Sequence, residues 1–537
     1  MRWTAAVFLV SLLTLGYQLH HVGLASGFVD PVGQVRAQDE AVYAHSAIRM
    51  ARTGDWLTPN FLGRHALYKP PLLFWLAGLS VKLLGPSPLA ARLPSLGAGA
   101  LAAALVFFWL RRSSPLAAAL GAVVLLVSNP VWHVVSRMCL TDALLALAIT
   151  AAVFSLAHDP RLLTRRGFLG FGVSAAAAVM TKGVAGLLPL LILGLFWVVS
   201  RRGERPSLLR LVQVCLLAVL LAAPWHIYQL LIHPRWFWAE YVRGEIFTFG
   251  MAAPYQTSAE NHLVFYLRRL LFADPLLCLL ALAALPAAWR ARRRHPTALL
   301  LAWVAVGGAA MLVFQYRNAS YVSLLVPVLA LLAVAYGPLF RGRRAVLATA
   351  ALCLAFLARA SAPDRPWGLD FRSGTTVQAA PLLDAYARRN RPNELILVSP
   401  DDEFYSAVLP LPRVRYCLIV PQDYAPAYGI DFRYLGINVS ASQFIELDQW
   451  RPVFRERLKT WNLDSDEPVA SVVIARSAEE LAQVILSRPQ TDFFLPAELR
   501  AALEPRVQTT HWVLPASPEK FFLLARVRSR TSRGNPG

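Results

Sequence analysis

The chain reads as a polytopic α-helical membrane protein followed by a soluble α/β domain. Three observations predict this. Of 537 residues, 56% are hydrophobic and 16% charged, whereas about a quarter are charged in soluble globular proteins. Apolar runs close to the ~20 residues that cross a bilayer recur as far as residue 361. Beyond that point short strand-like runs alternate with helical patterns, as in a packed α/β domain.

Taken in order, the apolar runs place spans at 4–25, 90–110, 115–133, 139–157, 168–181, 184–200, 208–224, 264–286, 297–315, 319–338 and 345–361, about 11 transmembrane helices. The first run, from after Arg2 to about Leu24, is long and followed by many more, which favours an uncleaved span over a signal peptide. The segment 71–86 is left out because it is short, follows Lys69-Pro70 and carries Lys82. It is expected to lie on the outer surface as an amphipathic helix.

The charge pattern supports that omission. Every second connection is basic: Arg111 and Arg112; Arg161, Arg165 and Arg166; Arg201, Arg202, Arg205 and Arg210; Arg290 and Arg292 to Arg294; Arg341, Arg343 and Arg344. By the positive-inside rule these connections and the N-terminus are cytoplasmic, and counting 71–86 as a span would put the later arginines outside. The formal charge of +21 is therefore a topology signal and not a nucleic-acid footprint. Five cysteines show no CxxC or metal-type spacing.

The domain boundaries that follow are a membrane domain at 1–361, with outer loops at 26–89 and 225–262, and a periplasmic α/β domain at 362–537. In the latter "ELILVSP", "RYCLIV" and "ASVVIA" read as strands, and "SAEELAQVIL" and "PAELRAALE" as helices. The run Asp401 to Glu403 reads as a helix start, and "RSRTSRGNPG" as a disordered tail. The expected location is a bacterial inner membrane, with the N-terminus cytoplasmic and the C-terminal domain periplasmic.

Polar residues that look chemical rather than topological collect in the opposite, outer connections: Asp39 and Glu40, Lys69, Arg137 and Asp142, Lys182, and the 225–262 loop with Arg243. A reaction site at the outer leaflet is the natural inference. The stretch "RAQDEAVYAHSAIRMARTGDW" supports a helix from Asp39 to Arg52, stopped by Gly54. Taken alone, Asp39 is a helix cap, Lys69 and Lys182 are interfacial anchors, and Arg137 and Asp142 are a structural pair.

Context changes that weighing. "DEAVYAHSAIRMARTGDWLTPNFLGRHALYKPPLLFWL", "ARLPSLGAGALAAALVFFWLRR", "SRMCLTDALLAL", "MTKGVAGLLPLLI" and "PWHIYQLLIHPRWFWAEYVRGEIFTF" follow one another over about 320 residues. In that order they resemble the GT-C glycosyltransferases that use polyprenyl-phosphate sugars, in particular the protein O-mannosyltransferase and aminoarabinose lipid A transferase relatives. The resemblance implies a GT-C fold and a polyprenyl-phosphate-linked sugar donor. It implies a lipid, glycan or protein acceptor, and Asp39 as general base.

The chemistry suits these residue types. A base must take the acceptor's proton, and one carboxylate suffices for single displacement with inversion. The departing phosphate needs cations, for which Lys69, Arg137, Lys182 and Arg243 are candidates, while Glu40, about 100° round the helix from Asp39, supports the loop. Two departures from the family pattern matter: Tyr68 stands where many relatives have Glu, and Glu245-Ile246 with Thr248-Phe249 where they have Glu-His and Arg-Phe. A divalent metal held by His45 and His65 with Asp39 or Glu40 is a further candidate, although the spacing defines no compact motif. Two other readings remain, a transporter or lipid flippase, which predicts ionisable residues deep in spans and paired broken helices, and a non-catalytic scaffold.

Overall fold

The structure, a computed structural model, describes residues 2–16, 39–61, 64–252, 261–360, 394–399, 414–419, 472–475, 478–496, 500–507, 512–513 and 521–524. It divides into two compact units, one holding the helices described up to Ala360 and the other the strands from Glu394 onward.

The first unit opens with α1 (Arg2–Gly16), α2 (Asp39–Thr53) and α3 (Leu72–Leu84); of the short strands β1 (Asn60–Phe61) and β2 (Arg64–His65) between α2 and α3, only Asn60 and His65 belong to this unit. The apolar helices α4 (Pro88–Leu110), α5 (Leu116–Ser128), α6 (Pro130–Arg137), α7 (Thr141–His158), α8 (Arg165–Lys182), α9 (Leu188–Val199) and α10 (Leu208–Ile232) follow. After a single turn α11 (Pro234–Trp236), residues Phe237–Ala252 form a π-helix. The remaining helices are α12 (His262–Ala273), α13 (Pro275–Arg290), α14 (Thr297–Val313), α15 (Val326–Tyr336) and α16 (Arg344–Ala360). Polar residues start these helices by accepting from free backbone N–H groups: Ser87 from Ala90, Thr164 from Gly167, and Ser207 from Arg210.

Among the described residues five helical stretches are long and apolar enough to cross a membrane, or seven if each bent pair counts as one span, with four shorter apolar helices besides. The stretch Arg165–Val199 qualifies as one unit of 35 residues, yet its contacts show that the chain reverses between α8 and α9. Lys182, at the end of α8, reaches Asp142 at the start of α7 (2.8 Å). Phe196, near the end of α9, packs on His295, which lies beside Leu156 and His158 at the other end of α7. The reversal is made possible by Gly186, where a Cβ would fall 2.2 Å from the Ala178 carbonyl oxygen.

Two expected spans, 115–133 and 264–286, are broken. Helices α5 and α6 meet at 68° and α12 and α13 at 108°. At the breaks Asn129 accepts from Trp132 N–H (3.0 Å) and Asp274 from Leu277 N–H (2.9 Å), and Asn129 Nδ2 donates to Asp274 Oδ2 (3.1 Å). The exposed ends of each broken helix are thus capped, as apolar surroundings demand. Helix α3 buries Leu73, Phe74, Ala77 and Val81 and exposes Leu76, Leu79, Leu83 and Leu84. Its buried face packs on α2, with Gly78 against Trp56 and the Ala47 carbonyl.

In the second unit six strands form one sheet: β3 (Glu394–Ser399), β4 (Val414–Ile419), β5 (Val472–Ala475), β6 (Thr491–Pro496), β7 (Trp512–Val513) and β8 (Phe521–Leu524), in the order β5-β4-β3-β6-β8-β7. Strands β3 to β6 pair in parallel, and β8 is antiparallel to both β6 and β7. Helices α17 (Ala478–Ser487) and α18 (Arg500–Leu503) complete the described part. The run Asp401 to Glu403 and the C-terminal tail lie outside the described residues.

Candidate active site

Helix α2 ends where expected, because Gly54 takes φ +79° and donates its N–H to the Met50 carbonyl (3.0 Å). At its start Asp39 and Glu40 diverge. Glu40 turns inward and is fully buried against α4, accepting from Arg92 Nε (2.6 Å) and Nη2 (2.8 Å) and from the Cys139 backbone N–H (2.9 Å). Asp39 keeps an open surface although protein surrounds it. Opposite roles for adjacent carboxylates follow from their ~100° separation around the helix.

The loop after α2 is pinned by α10 and the turn that follows it. Leu57 O accepts from Trp225 Nε1 (2.8 Å) and Gln229 Nε2 (2.6 Å), while Thr58 Oγ1 lies 3.3 Å from His233 Nε2. This fixes the path of the chain towards Lys69.

Asp39 lies within electrostatic reach of Lys69, Glu245, Lys182 and Asp142, which come from four different elements. Its pKa is raised above the usual carboxylate value: burial dominates, Lys69 and Lys182 pull it down, and Glu245 and Asp142 push it up. Two ion pairs stand around it. Lys69 Nζ donates to Glu245 Oε2 of the π-helix in a short contact. Lys182 Nζ donates to Asp142 Oδ1 (2.8 Å), which also accepts from Ser320 Oγ (3.0 Å), and Lys182 sits 4.6 Å from the Tyr321 ring centroid. The Lys182–Asp142 geometry depends on Gly183, whose φ is +54° and where a Cβ would lie 2.6 Å from Tyr241 Oη.

Tyrosines line the same region. Tyr43, Tyr68 and Tyr316 each feel the Asp39 charge, and Tyr321 feels Asp142 and Glu245. Burial, followed by Asp39, pushes the Tyr43 and Tyr68 hydroxyls well up, so both remain neutral donors. Such a site offers one open carboxylate, two ammonium groups and a neutral hydrogen-bonding wall.

Of the residues singled out from sequence, Asp39, Lys69, Asp142 and Lys182 converge and Glu40 anchors them. Arg137 is buried beside His133, with Nη1 2.7 Å from Nε2. Arg243 occupies an exposed position on the π-helix, two residues before Glu245. The histidines considered for a metal lie elsewhere: His45 is half-buried beside the Asn60 backbone, its pKa lowered to about 3 by loss of solvent around the ring and by Arg49 and Arg52, and the His65 ring packs 4.2 Å from His233. Among the described residues no three His, Cys, Asp or Glu side chains group as metal ligands.

Residues 68–228 match the family model described as dolichyl-phosphate-mannose-protein mannosyltransferase. Over 98% of both chains, the structure is similar to ArnT from Cupriavidus metallidurans bound to undecaprenyl phosphate, with a TM-score of 0.67 and 16% identity. The protein has the fold of ArnT. The apo form of the same ArnT gives a TM-score of 0.64 at 15% identity, again over 98% of both chains.

Two further proteins are similar in sequence. The undecaprenyl phosphate-alpha-4-amino-4-deoxy-L-arabinose arabinosyl transferase of Aeromonas salmonicida is 30% identical over 313 residues, 55% of this chain and 54% of that one. The like-named transferase 1 of Sodalis glossinidius is 31% identical over 320 residues, 56% and 54% of the two chains. The chain thus spans about half the length of the curated relatives it matches. Sequence reading had not found Arg92, Ser320, or the convergence of Tyr43 and Tyr316 on Asp39.

Proposed function

We propose that the protein is an inverting glycosyltransferase that moves a sugar from a polyprenyl-phosphate donor to a lipid, glycan or protein acceptor at the outer leaflet. The observation that carries this reading is the open Asp39 carboxylate, raised in pKa and flanked by Lys69 and Lys182. The relatives named for undecaprenyl-phosphate aminoarabinose transfer support the donor class.

The acceptor oxygen or nitrogen attacks the anomeric carbon from the face opposite the phosphate. Its proton passes to Asp39 as the new bond forms. The carbon–oxygen bond to phosphate breaks, and its electron pair leaves on the phosphate, whose charge Lys69 offsets, with Lys182 nearby. Glu40 and Arg92 hold α2 so that Asp39 stays in line. Arg243 remains a candidate contact for the donor phosphate, and Arg137 a support for the loop beneath it. The C-terminal domain is read as helping to select the acceptor.

One observation favours the transporter or flippase reading, the hydrogen-bonded breaks at Asn129 and Asp274. Transporter sites, however, lie near the bilayer midplane. Helix α5 has 13 residues before its break and α13 has 16 after its own, about 20 and 24 Å of rise. Measured from the arginine connections, these distances put both breaks beyond the middle of a ~30 Å core. The test is incubation of purified protein with a labelled polyprenyl-phosphate sugar and envelope lipid extract. Release of polyprenyl phosphate with label in the acceptor fraction supports the enzyme, whereas transbilayer movement of intact donor without release supports the flippase.

A further inference from the structure

Two of the ion pairs in the membrane unit differ in a way that bears on donor binding. Glu40 and Arg92 are sealed, at 0% side-chain exposure each, but Lys69 and Glu245 keep 14% and 21%. A sealed bidentate pair is permanent structure, while a half-open single contact can exchange its partner. Glu245 is also carried on an unusual element. A π-helical run of 16 residues far exceeds the single-turn bulges in which this geometry ordinarily occurs. Tightening such a run towards α geometry would change its register and draw Glu245 away from Lys69.

The charge balance around Lys69 points the same way. Asp39, Glu245 and Asp142 already face two lysines there, and Lys182 is committed to Asp142. A phosphate arriving at Lys69 beside a retained Glu245 carboxylate would meet like-charge repulsion in a site of low dielectric.

We propose that Glu245 occupies the place on Lys69 that the donor phosphate takes, so that donor binding displaces the carboxylate and Glu245 sets donor affinity. This rests on the polyprenyl-phosphate reading above. In its resting form the lysine is held in position and neutralised. On exchange the phosphate inherits an already oriented ammonium group.

The experiment measures binding of sugar-free polyprenyl phosphate to the full-length protein in detergent micelles. Wild type is compared with Glu245→Gln, Glu245→Ala, Lys69→Ala and the Lys69→Ala/Glu245→Gln double variant. Removing the competing carboxylate should tighten binding about threefold to fivefold in both Glu245 variants, the upper range for an ion pair that keeps some exposure to solvent. The gain should vanish in the double variant, which should bind as weakly as Lys69→Ala. A gain in affinity cannot come from misfolding, and the two Glu245 variants check each other. Unchanged or weaker binding in both, with wild type binding well, overturns the exchange and leaves the donor reading standing. Absence of binding in every protein overturns both.

Discussion

Arg92 clasps Glu40 with two hydrogen bonds, of 2.6 and 2.8 Å, across 52 residues of sequence and with neither side chain exposed. The pair fixes the first turn of α2 to α4, and therefore fixes Asp39, the neighbour of Glu40. Removing Arg92 strands a carboxylate away from water. Arg92→Ala should cost about 3–5 kcal/mol, the range for breaking a buried pair from one side. Thermal unfolding in detergent measures this. A double replacement of Glu40 and Arg92 by methionine should regain most of the lost Tm, because no uncompensated charge is left.

Gly183 should tolerate no side chain. Its φ of +54° disfavours L-residues, and an added Cβ would press on Tyr241 Oη at 2.6 Å. Gly183→Ala is expected to lower stability by about 1–3 kcal/mol and to weaken the Lys182–Asp142 pair beside it. Gly194, where an added Cβ meets nothing within 4 Å, provides the control. Gly194→Ala should leave unfolding unchanged or raise its temperature slightly.

The rate of transfer should fall on the acid side at a higher pH than an ordinary aspartate would give. Burial raises the Asp39 pKa, and a base acts only when deprotonated. Activity is thus present above the folded pKa and lost as pH falls through it. Glu245→Gln removes one upward influence on Asp39 while Lys69 continues to lower it, so the acid limb should move to lower pH. A pH profile of kcat/KM for both proteins checks the sign of that shift.

Reporter fusions test the side on which the site lies. Fusions after Arg112, Arg205, Arg294 and Arg344 should report cytoplasm, and one after Arg359 the outer side. A cytoplasmic signal from the last would place Asp39 on the wrong face for an outer-leaflet acceptor.

Local features were legible in the sequence because local chemistry sets them. The Asp39 start and Gly54 stop of α2 fall within a residue of expectation, and the strand-like runs "ELILVSP", "RYCLIV" and "ASVVIA" become β3, β4 and β5. Phe493 and Leu495 of β6 are buried, but "TDFFLP" is short and ends in proline, so its pattern did not stand out. The partners that define the site were not legible for a different reason. Arg92 lies in a small-residue helix, and Glu245 meets Lys69 across 176 residues, so neither spacing carries a local signal. The breaks at Asn129 and Asp274 were hidden inside apolar runs, since hydropathy records length and composition but not direction.

The central claim is that Asp39 takes the acceptor's proton. Asp39→Asn retains the side chain's shape and its ability to accept a hydrogen bond at the helix start, but it cannot accept the proton. The most direct measurement is single-turnover transfer by purified Asp39→Asn protein given a polyprenyl-phosphate sugar, with binding of sugar-free polyprenyl phosphate measured in parallel. Binding close to wild type with transfer reduced by at least about 100-fold, the usual scale for losing a general base, is the predicted result. Near-normal transfer by Asp39→Asn would contradict the account and leave the carboxylate as a structural feature of α2.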